Sequence, residues 1–272
     1  MKYCRFRFED QIVYGAVETR GGEPWIVDLC PPPEEDLAHK MAHGLVHVAV
    51  LDFEPMPLNI AELLPPVTPS KIVCVGRNYR DHAKELGNEV PAEPLLFFKP
   101  PSSLLAPGGT VRMPAVAERI DFEGELALVI GRRASKLNDD TSWRDYVRGY
   151  TIANDVTARD LQKKDSQWTR AKGFDTFCPV GPFVSNEVDP EKGLTLETRV
   201  NDVLKQQGST LDFIFPISAL LRYITAAITL EPGDLVLTGT PSGVAPLAPG
   251  DRVDIEIPGL GVLSNQFASD AN

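Results

Sequence analysis

From residue 71 onward the chain is a succession of short apolar runs cut by turn residues. They read KIVCVG, PLLFFKP, DFEGELALVIG, YTIANDV, CPVGPFV, LTLETRVND, GDLVLTG and DRVDIEI. Runs of this length, bounded by Gly, Pro, Asn and Asp, predict β-strands, and Pro232-Gly233-Asp234 and Pro249-Gly250-Asp251 predict turns between some of them. In DFEGELALVIG the two-residue period of a strand places Asp121, Glu123, Glu125, Ala127 and Val129 on one face. Phe122, Leu126, Leu128 and Ile130 fall on the other. One helix stands out: between Pro216 and Ile228, the residues Ile217, Leu220, Leu221, Ile224 and Ile228 recur at helical spacing behind an N-terminal proline, which reads as core. Strands outnumber helices and do not alternate with them regularly. The pattern therefore predicts a β-rich α+β fold, not a doubly wound sheet. Before residue 64, runs such as RFRFEDQIVYGAVE and WIVDL lead into a weakly helical stretch, HKMAHGLVHVAVL. Leu64 to Lys71 then holds three prolines in eight residues. A stiff linker over 64–71 is expected, dividing a small N-terminal domain (1–63) from a larger one (72–272).

Composition narrows the class. The 272 residues are 43% hydrophobic and 24% charged, an ordinary globular balance. The net charge of −11 argues against nucleic acid, which needs clustered Lys and Arg. The opening MKYCRFRFEDQ is too charged for a signal peptide, and no apolar run approaches membrane-spanning length. Cys4, Cys30, Cys74 and Cys178 lie far apart without a CxxC pair, which suits reduced thiols in a cytoplasm. An acidic protein that binds an anion must build the site locally, from a metal ion or a few cationic side chains.

Four segments carry candidate chemistry. Glu123 and Glu125 on one strand face repel unless water or a cation separates them. A solvated acidic face is the simplest reading of a bare ExE, but this face turns apolar at Ala127 and Val129. Oxygen ligands of this kind suit Mg²⁺ or Mn²⁺. In YTIANDVTARDLQ a strand ends near Asp155, a turn residue or a third carboxylate for the same site. Thr157 and Asp160 have the spacing of a capping box for the helix that follows. In KIVCVGRNYRDHAKELG, Asn78 is placed to cap a short helix and Gly87 to end it. His82 and Glu85, three apart, share a helical face: a surface pair, or a histidine oriented by a carboxylate as a general base. No GxGxxG follows this strand, so it is not a dinucleotide fingerprint. The small-residue loop of LVLTGTPSGV offers N–H groups and hydroxyls to an anion.

The order VGRNYRDHAKELG, FEGELALVIG, NDVTARDLQ, TRAKGFDTFCPVGP and LTGTPSGV resembles the fumarylacetoacetate hydrolase (FAH) family. The resemblance covers Lys71 to the C-terminus, about three quarters of the chain. It implies a compact roll of mixed β-sheets with few helices, and a homodimer. It also implies that Glu123, Glu125 and Asp155 are the ligands of Mg²⁺ or Mn²⁺. His82 and Glu85 match the His–Glu dyad of the branch containing acylpyruvate hydrolases and oxaloacetate decarboxylases. Gln162 and Lys172 join them as catalytic candidates, and Arg159 and Thr240 as substrate-binding ones. Two features depart from fumarylacetoacetase itself: no counterpart of its additional aspartate ligand precedes His82, and the N-terminal region is short. A 2-oxo acid smaller than fumarylacetoacetate is therefore implied. The expected activity is metal-dependent cleavage of a C–C bond beside a 2-oxo acid, with acylpyruvate hydrolysis favoured because the dyad is complete. Oxaloacetate decarboxylation, isomerisation of 2-hydroxyhepta-2,4-diene-1,7-dioate, and metal or 2-oxo acid binding without turnover are the alternatives. His43, His47 or the loop after Gly87 are candidates for contacting the substrate's distal group.

Overall fold

The structure is a computed structural model that describes residues 1–33, 52–85, 87 and 89–270. His43 and His47 lie outside the described residues. The architecture is two mixed sheets with few helices. The larger sheet runs, in spatial order, Met56–Pro57, Glu23–Cys30, Gln11–Arg20, Lys2–Phe8, Cys178–Ser185, Val147–Asn154, Gly124–Ile130, Leu235–Leu237, Ile72–Gly76 and Leu95–Lys99. Most neighbours are antiparallel, but Leu235–Leu237 runs parallel to Ile72–Gly76. After Leu95–Lys99 the chain returns, and Leu104–Leu105 pairs with Cys178 and Pro179, so this part of the sheet curls into a roll. The second sheet has the order Val203–Ser209, Thr195–Val200, Arg252–Ile257, Gly261–Ser269 and Thr110–Met113.

Alternation along Gly124–Ile130 explains how the layers stack. Leu126, Leu128 and Ile130 enter a core shared with Val253, Ile255, Leu263 and Phe267 of the second sheet. Ala127 and Val129 point the other way, into a cluster with Ile72, Cys74, Ala153, Leu235 and Leu237. Every residue of the strand is buried, so it is covered on both sides, as near-continuous apolar runs require. The helix Ile217–Ala227 starts behind Pro216, as the proline spacing predicts, and buries Ile217, Leu220, Leu221 and Ile224 in the first of these clusters.

The strands on either side of the proline-rich segment belong to one sheet, because Lys2 and Tyr3 pair with Ser185 and Val184. The segment DFEGELALVIG is not one strand. Ile120–Asp121 pairs with Thr157–Ala158, whereas Gly124–Ile130 pairs with Val147–Asn154. The chain bends between them at Phe122 and Glu123, which separates Asp121 from the face shared by Glu123 and Glu125. The expected capping box is also absent. The helix Arg159–Lys164 begins after Ala158 with no side-chain cap, and the Thr157 hydroxyl donates to Asp155 O at 2.9 Å.

Gly124, between the two glutamates, sits where the two sheets approach closely. A Cβ built there would lie 2.4 Å from Thr198 Oγ1 and 3.1 Å from Ile255 Cγ2. Gly124→Ala is expected to force the layers apart and lower unfolding stability by about 1–3 kcal/mol. Urea unfolding of the variant measures this; an unchanged midpoint would show that the layers have slack at this point.

Candidate active site

Strand register brings the functional residues to one edge of the large sheet. Gly124 pairs with Asn154, so the start of one strand meets the end of the next. Ala127 pairs with Leu237, and Leu237 with Cys74, so the ends of Leu235–Leu237 and Ile72–Gly76 emerge at the same edge. The backbone ties continue past the strands. Asp155 N donates to Glu123 O at 2.9 Å, and Glu123 N donates to Asn154 Oδ1 at 2.9 Å. From the other side, the segment Thr238-Gly239-Thr240 steps along the carboxylate strand. The Thr238 hydroxyl donates to Leu126 O, Gly239 N to Glu125 Oε2, and the Thr240 hydroxyl to Gly124 O, at 2.7–2.8 Å.

Glu123, Glu125 and Asp155 converge as the sequence predicts. One oxygen from each lies within 4.8 Å of the others, and all three side chains are buried. Lys172 Nζ bridges Glu123 Oε2 at 2.7 Å and Asp155 Oδ2 at 2.6 Å. Lys99 Nζ holds Asp155 Oδ1 at 2.6 Å. Arg159 contacts Glu123 Oε1, Asp121 Oδ2 and Gln162 Oε1, so each guanidinium nitrogen is taken by a protein acceptor. Asp121 is closed off by a second guanidinium, Arg119. The carboxylates Asp121, Glu123, Glu125 and Asp155 thus face the cations Lys99, Arg119, Arg159 and Lys172.

The balance is uneven across the site. Burial alone would push Glu123 up, but Arg159, Lys172 and His82 together hold its carboxyl far below the usual range. Glu125 is pushed well above that range by burial and by the neighbouring Asp155 and Glu123, which Lys172 and the Gly239 N–H do not offset. Among the described residues Glu125 has no ion-pair partner, only the Gly239 amide. A divalent cation amid the three oxygens is the addition that lets all of them ionise together. The all-oxygen donor set fits a hard ion, so these residues can hold a divalent metal.

A cavity of about 270 Å³ opens onto the triad. His82, Arg159, Gln162, Lys172 and Thr240 line it with the three carboxylates, together with Arg77, Lys163, Phe97 and Trp168. Glu85 stands behind His82, with His82 Nδ1 and Glu85 Oε2 at 3.3 Å. Gly243 N–H donates to both Glu85 oxygens at 3.0 and 3.2 Å. The LTGTPSGV loop therefore gives its amides to the protein's own carboxylates, Glu125 and Glu85. Burial lowers the His82 pKa below its ordinary 6.5 and outweighs Glu123 and Glu85, which raise it. The imidazole is thus neutral at neutral pH, with Nδ1–H toward Glu85 and Nε2 left as a base.

Two readings of the His82 segment meet different outcomes. Gly87 ends the helix Arg80–Glu85 as predicted, with φ +69° and its N–H on Lys84 O. Asn78 is not the helix cap. Its side chain accepts from Phe215 N and donates to Phe215 O and Thr238 O, pinning this loop to two distant segments. Sequence reasoning missed Lys99, only 1% exposed, whose signal was a lone lysine closing the apolar run PLLFFKP. It also missed Gln206, which accepts from Gly124 N and donates to the Thr240 hydroxyl and Pro241 O.

The fold and the buried carboxylate triad define a class of β-roll proteins whose acidic cluster can hold a divalent metal. Residues 71–268 match the family described as fumarylacetoacetate (FAA) hydrolase C-terminal, and the chain belongs to it. It is 45% identical over 213 residues to oxaloacetate tautomerase YisK of Bacillus subtilis, covering 73% of this chain and 70% of that one. It is 46% identical over 199 residues to mitochondrial oxaloacetate decarboxylase of Dictyostelium discoideum, covering 71% and 91%. The crystal structure of 2-hydroxyhepta-2,4-diene-1,7-dioate isomerase from Mycobacterium marinum superposes with a TM-score of 0.83 at 38% identity, covering 100% of both chains.

Lys99 gives the charge balance a direct test. Removing one partner of a buried ion pair costs about 3–5 kcal/mol. Lys99→Met is expected to lose stability on that scale and to regain more of it than wild type when Mg²⁺ or Mn²⁺ is added, since the metal replaces the missing charge. Urea unfolding with and without metal measures both. A loss indifferent to metal would mean that Lys99 and the triad are not electrostatically linked.

Proposed function

We propose that the protein is a Mg²⁺- or Mn²⁺-dependent enzyme that enolises oxaloacetate, interconverting its keto and enol forms and releasing CO₂ from the same site. The observation that carries this reading is a buried, neutral His82, backed by Glu85, lining the same cavity as the three carboxylates. The relatives named oxaloacetate tautomerase and oxaloacetate decarboxylase support it over acylpyruvate hydrolysis, which the complete dyad alone had favoured.

Glu123, Glu125 and Asp155 are the residues that would hold the cation, which when bound supplies Lewis-acid polarisation of the 2-oxo acid's oxygens. His82 Nε2 takes the proton from C3, the carbon between the carbonyl and the distal carboxylate, and returns one there in the reverse direction. Glu85 accepts the Nδ1 proton, fixes that tautomer and stabilises the imidazolium as it forms. Lys172 remains cationic: burial lowers its pKa, but Asp155 and Glu123 more than compensate. Two of its three N–H groups are spent on those carboxylates, and the third is available to the oxygen on which negative charge develops. In decarboxylation the electron pair of the C3–C4 bond moves to that same oxygen, with no water attack and no base needed.

The test is a set of rates with saturating Mg²⁺: enol–keto interconversion of oxaloacetate, pyruvate formation from oxaloacetate, and hydrolysis of acetylpyruvate. His82→Ala is expected to slow interconversion by about 10²–10⁴-fold, the usual worth of a positioned base, and to slow decarboxylation less. Wild-type kcat/KM for interconversion should fall as pH drops through the lowered His82 pKa, below 6.5, because only the neutral imidazole accepts a proton. Acetylpyruvate hydrolysed faster than oxaloacetate is consumed would contradict the reading.

A further inference from the structure

The cavity has four cationic side chains in its lining besides His82: Arg77, Arg159, Lys163 and Lys172. Arg159 has every guanidinium nitrogen taken by the protein, and Lys172 spends two of its three N–H groups on Glu123 and Asp155. Lys163 is an exposed amine on the helix Arg159–Lys164. Arg77 is different, being half-buried and, among the described residues, without a hydrogen bond or ion pair.

Its backbone is also distinctive. Arg77 has φ +57°, the left-handed region that a non-glycine residue occupies at a cost of about 1–3 kcal/mol unless its surroundings enforce it. Its neighbours on both sides enforce it. Gly76 ends a sheet strand against Leu95, and Asn78 is locked by Phe215 and Thr238. The chain thus accepts a conformational cost to turn a guanidinium toward the cavity with, among the described residues, no hydrogen bond or ion pair to occupy it. Trp168 packs close over Gly76, where a Cβ would lie 3.1 Å from its ring, and it forms the wall beside Arg77.

Position then suggests the partner. The strand Ile72–Gly76 lies two ladder steps from Gly124–Ile130. At about 4.8 Å per step, the Arg77 backbone sits within about 10 Å of the metal-ligand strand, and a long side chain can close most of that gap. Arg77 is thus within reach of the distal end of a 2-oxo acid held head-first at the triad.

We infer that Arg77 is the anchor for the distal carboxylate of the substrate, and that it makes the site selective for 2-oxo dicarboxylates over 2-oxo monocarboxylates. The inference rests on the 2-oxo acid reading of the triad and adds to it the class of substrate tail. A guanidinium matches a carboxylate with two parallel N–H···O bonds, which a lysine amine cannot reproduce. The anchor also fixes the C3–C4 bond relative to His82, so it positions the reacting carbon as well as selecting the acid.

Binding tests this without requiring turnover. With saturating Mg²⁺, oxaloacetate and pyruvate share the 2-oxo acid head and differ in the distal carboxylate, and Trp168 in the cavity wall reports entry by fluorescence. Arg77→Asn removes the charge while suiting the left-handed backbone, and Arg77→Lys keeps the charge without the fork. Hydrogen bonds to charged groups predict that Arg77→Asn weakens oxaloacetate on the order of 10- to 100-fold and changes pyruvate by less than about twofold. Arg77→Lys should fall between. Lys163→Ala should leave the ratio of the two affinities unchanged. Parallel weakening of both acids, or of neither, overturns the anchor while leaving the 2-oxo acid reading in place. If wild-type protein binds neither acid with Mg²⁺ present, the functional reading itself falls, and the anchor with it.

Discussion

Three carboxylates buried at one sheet edge set the terms for the rest of the molecule. Each ion taken out of water costs several kcal/mol even after relaxation. Fully burying a leucine or isoleucine returns only about 1.5–3 kcal/mol. The apolar remainder of the carboxylate strand, Leu126, Leu128 and Ile130, therefore cannot hold Glu123 and Glu125 in place unaided. The offset comes from Lys99, Arg159 and Lys172, each at most 5% exposed and each delivered by a different segment. Among the described residues Glu125 is left with an amide for company, and that residual imbalance suits the edge to a divalent cation.

The chemistry follows from the same arrangement. Antiparallel register carries Asp155 to Glu123, and the loop after Leu235–Leu237 supplies amides to Glu125 and, through Gly243, to Glu85. One loop thus orients both a carboxylate of the triad and the carboxylate behind His82. Lys172 links the halves, because its ammonium neutralises Glu123 and Asp155 together. In a chain of net charge −11, Lys99, Arg119, Arg159 and Lys172 concentrate positive charge at this one edge.

Much of this was legible in the sequence, and the parts that were not share a cause. Ala127 and Val129 showed that the ExE face turned inward, and the helical spacing behind Pro216 reads directly as the buried helix. The bend at Phe122–Glu123 was hidden because the two-residue period runs through it without interruption. What ends the strand is Thr157–Ala158, which claims Ile120–Asp121 from more than thirty residues away. The same competition removes the capping box, since Thr157 is held in that pairing. Lys99 and Asn78 were illegible for a related reason. A lysine at a strand end and an asparagine before a helix have strong local readings, whereas their partners, Asp155, Phe215 and Thr238, lie 56 to 160 positions distant.

We propose that Glu123, Glu125 and Asp155 form one divalent-metal site whose charge the surrounding cations leave incomplete. Titration of the metal-free protein with Mn²⁺, followed by calorimetry and by the electron paramagnetic resonance of the free ion, tests it most directly. One Mn²⁺ should bind per chain, displaceable by Mg²⁺, and Glu125→Gln should abolish binding while the protein stays folded. Failure of wild-type protein to bind Mn²⁺, or undiminished binding in Glu125→Gln, would contradict it.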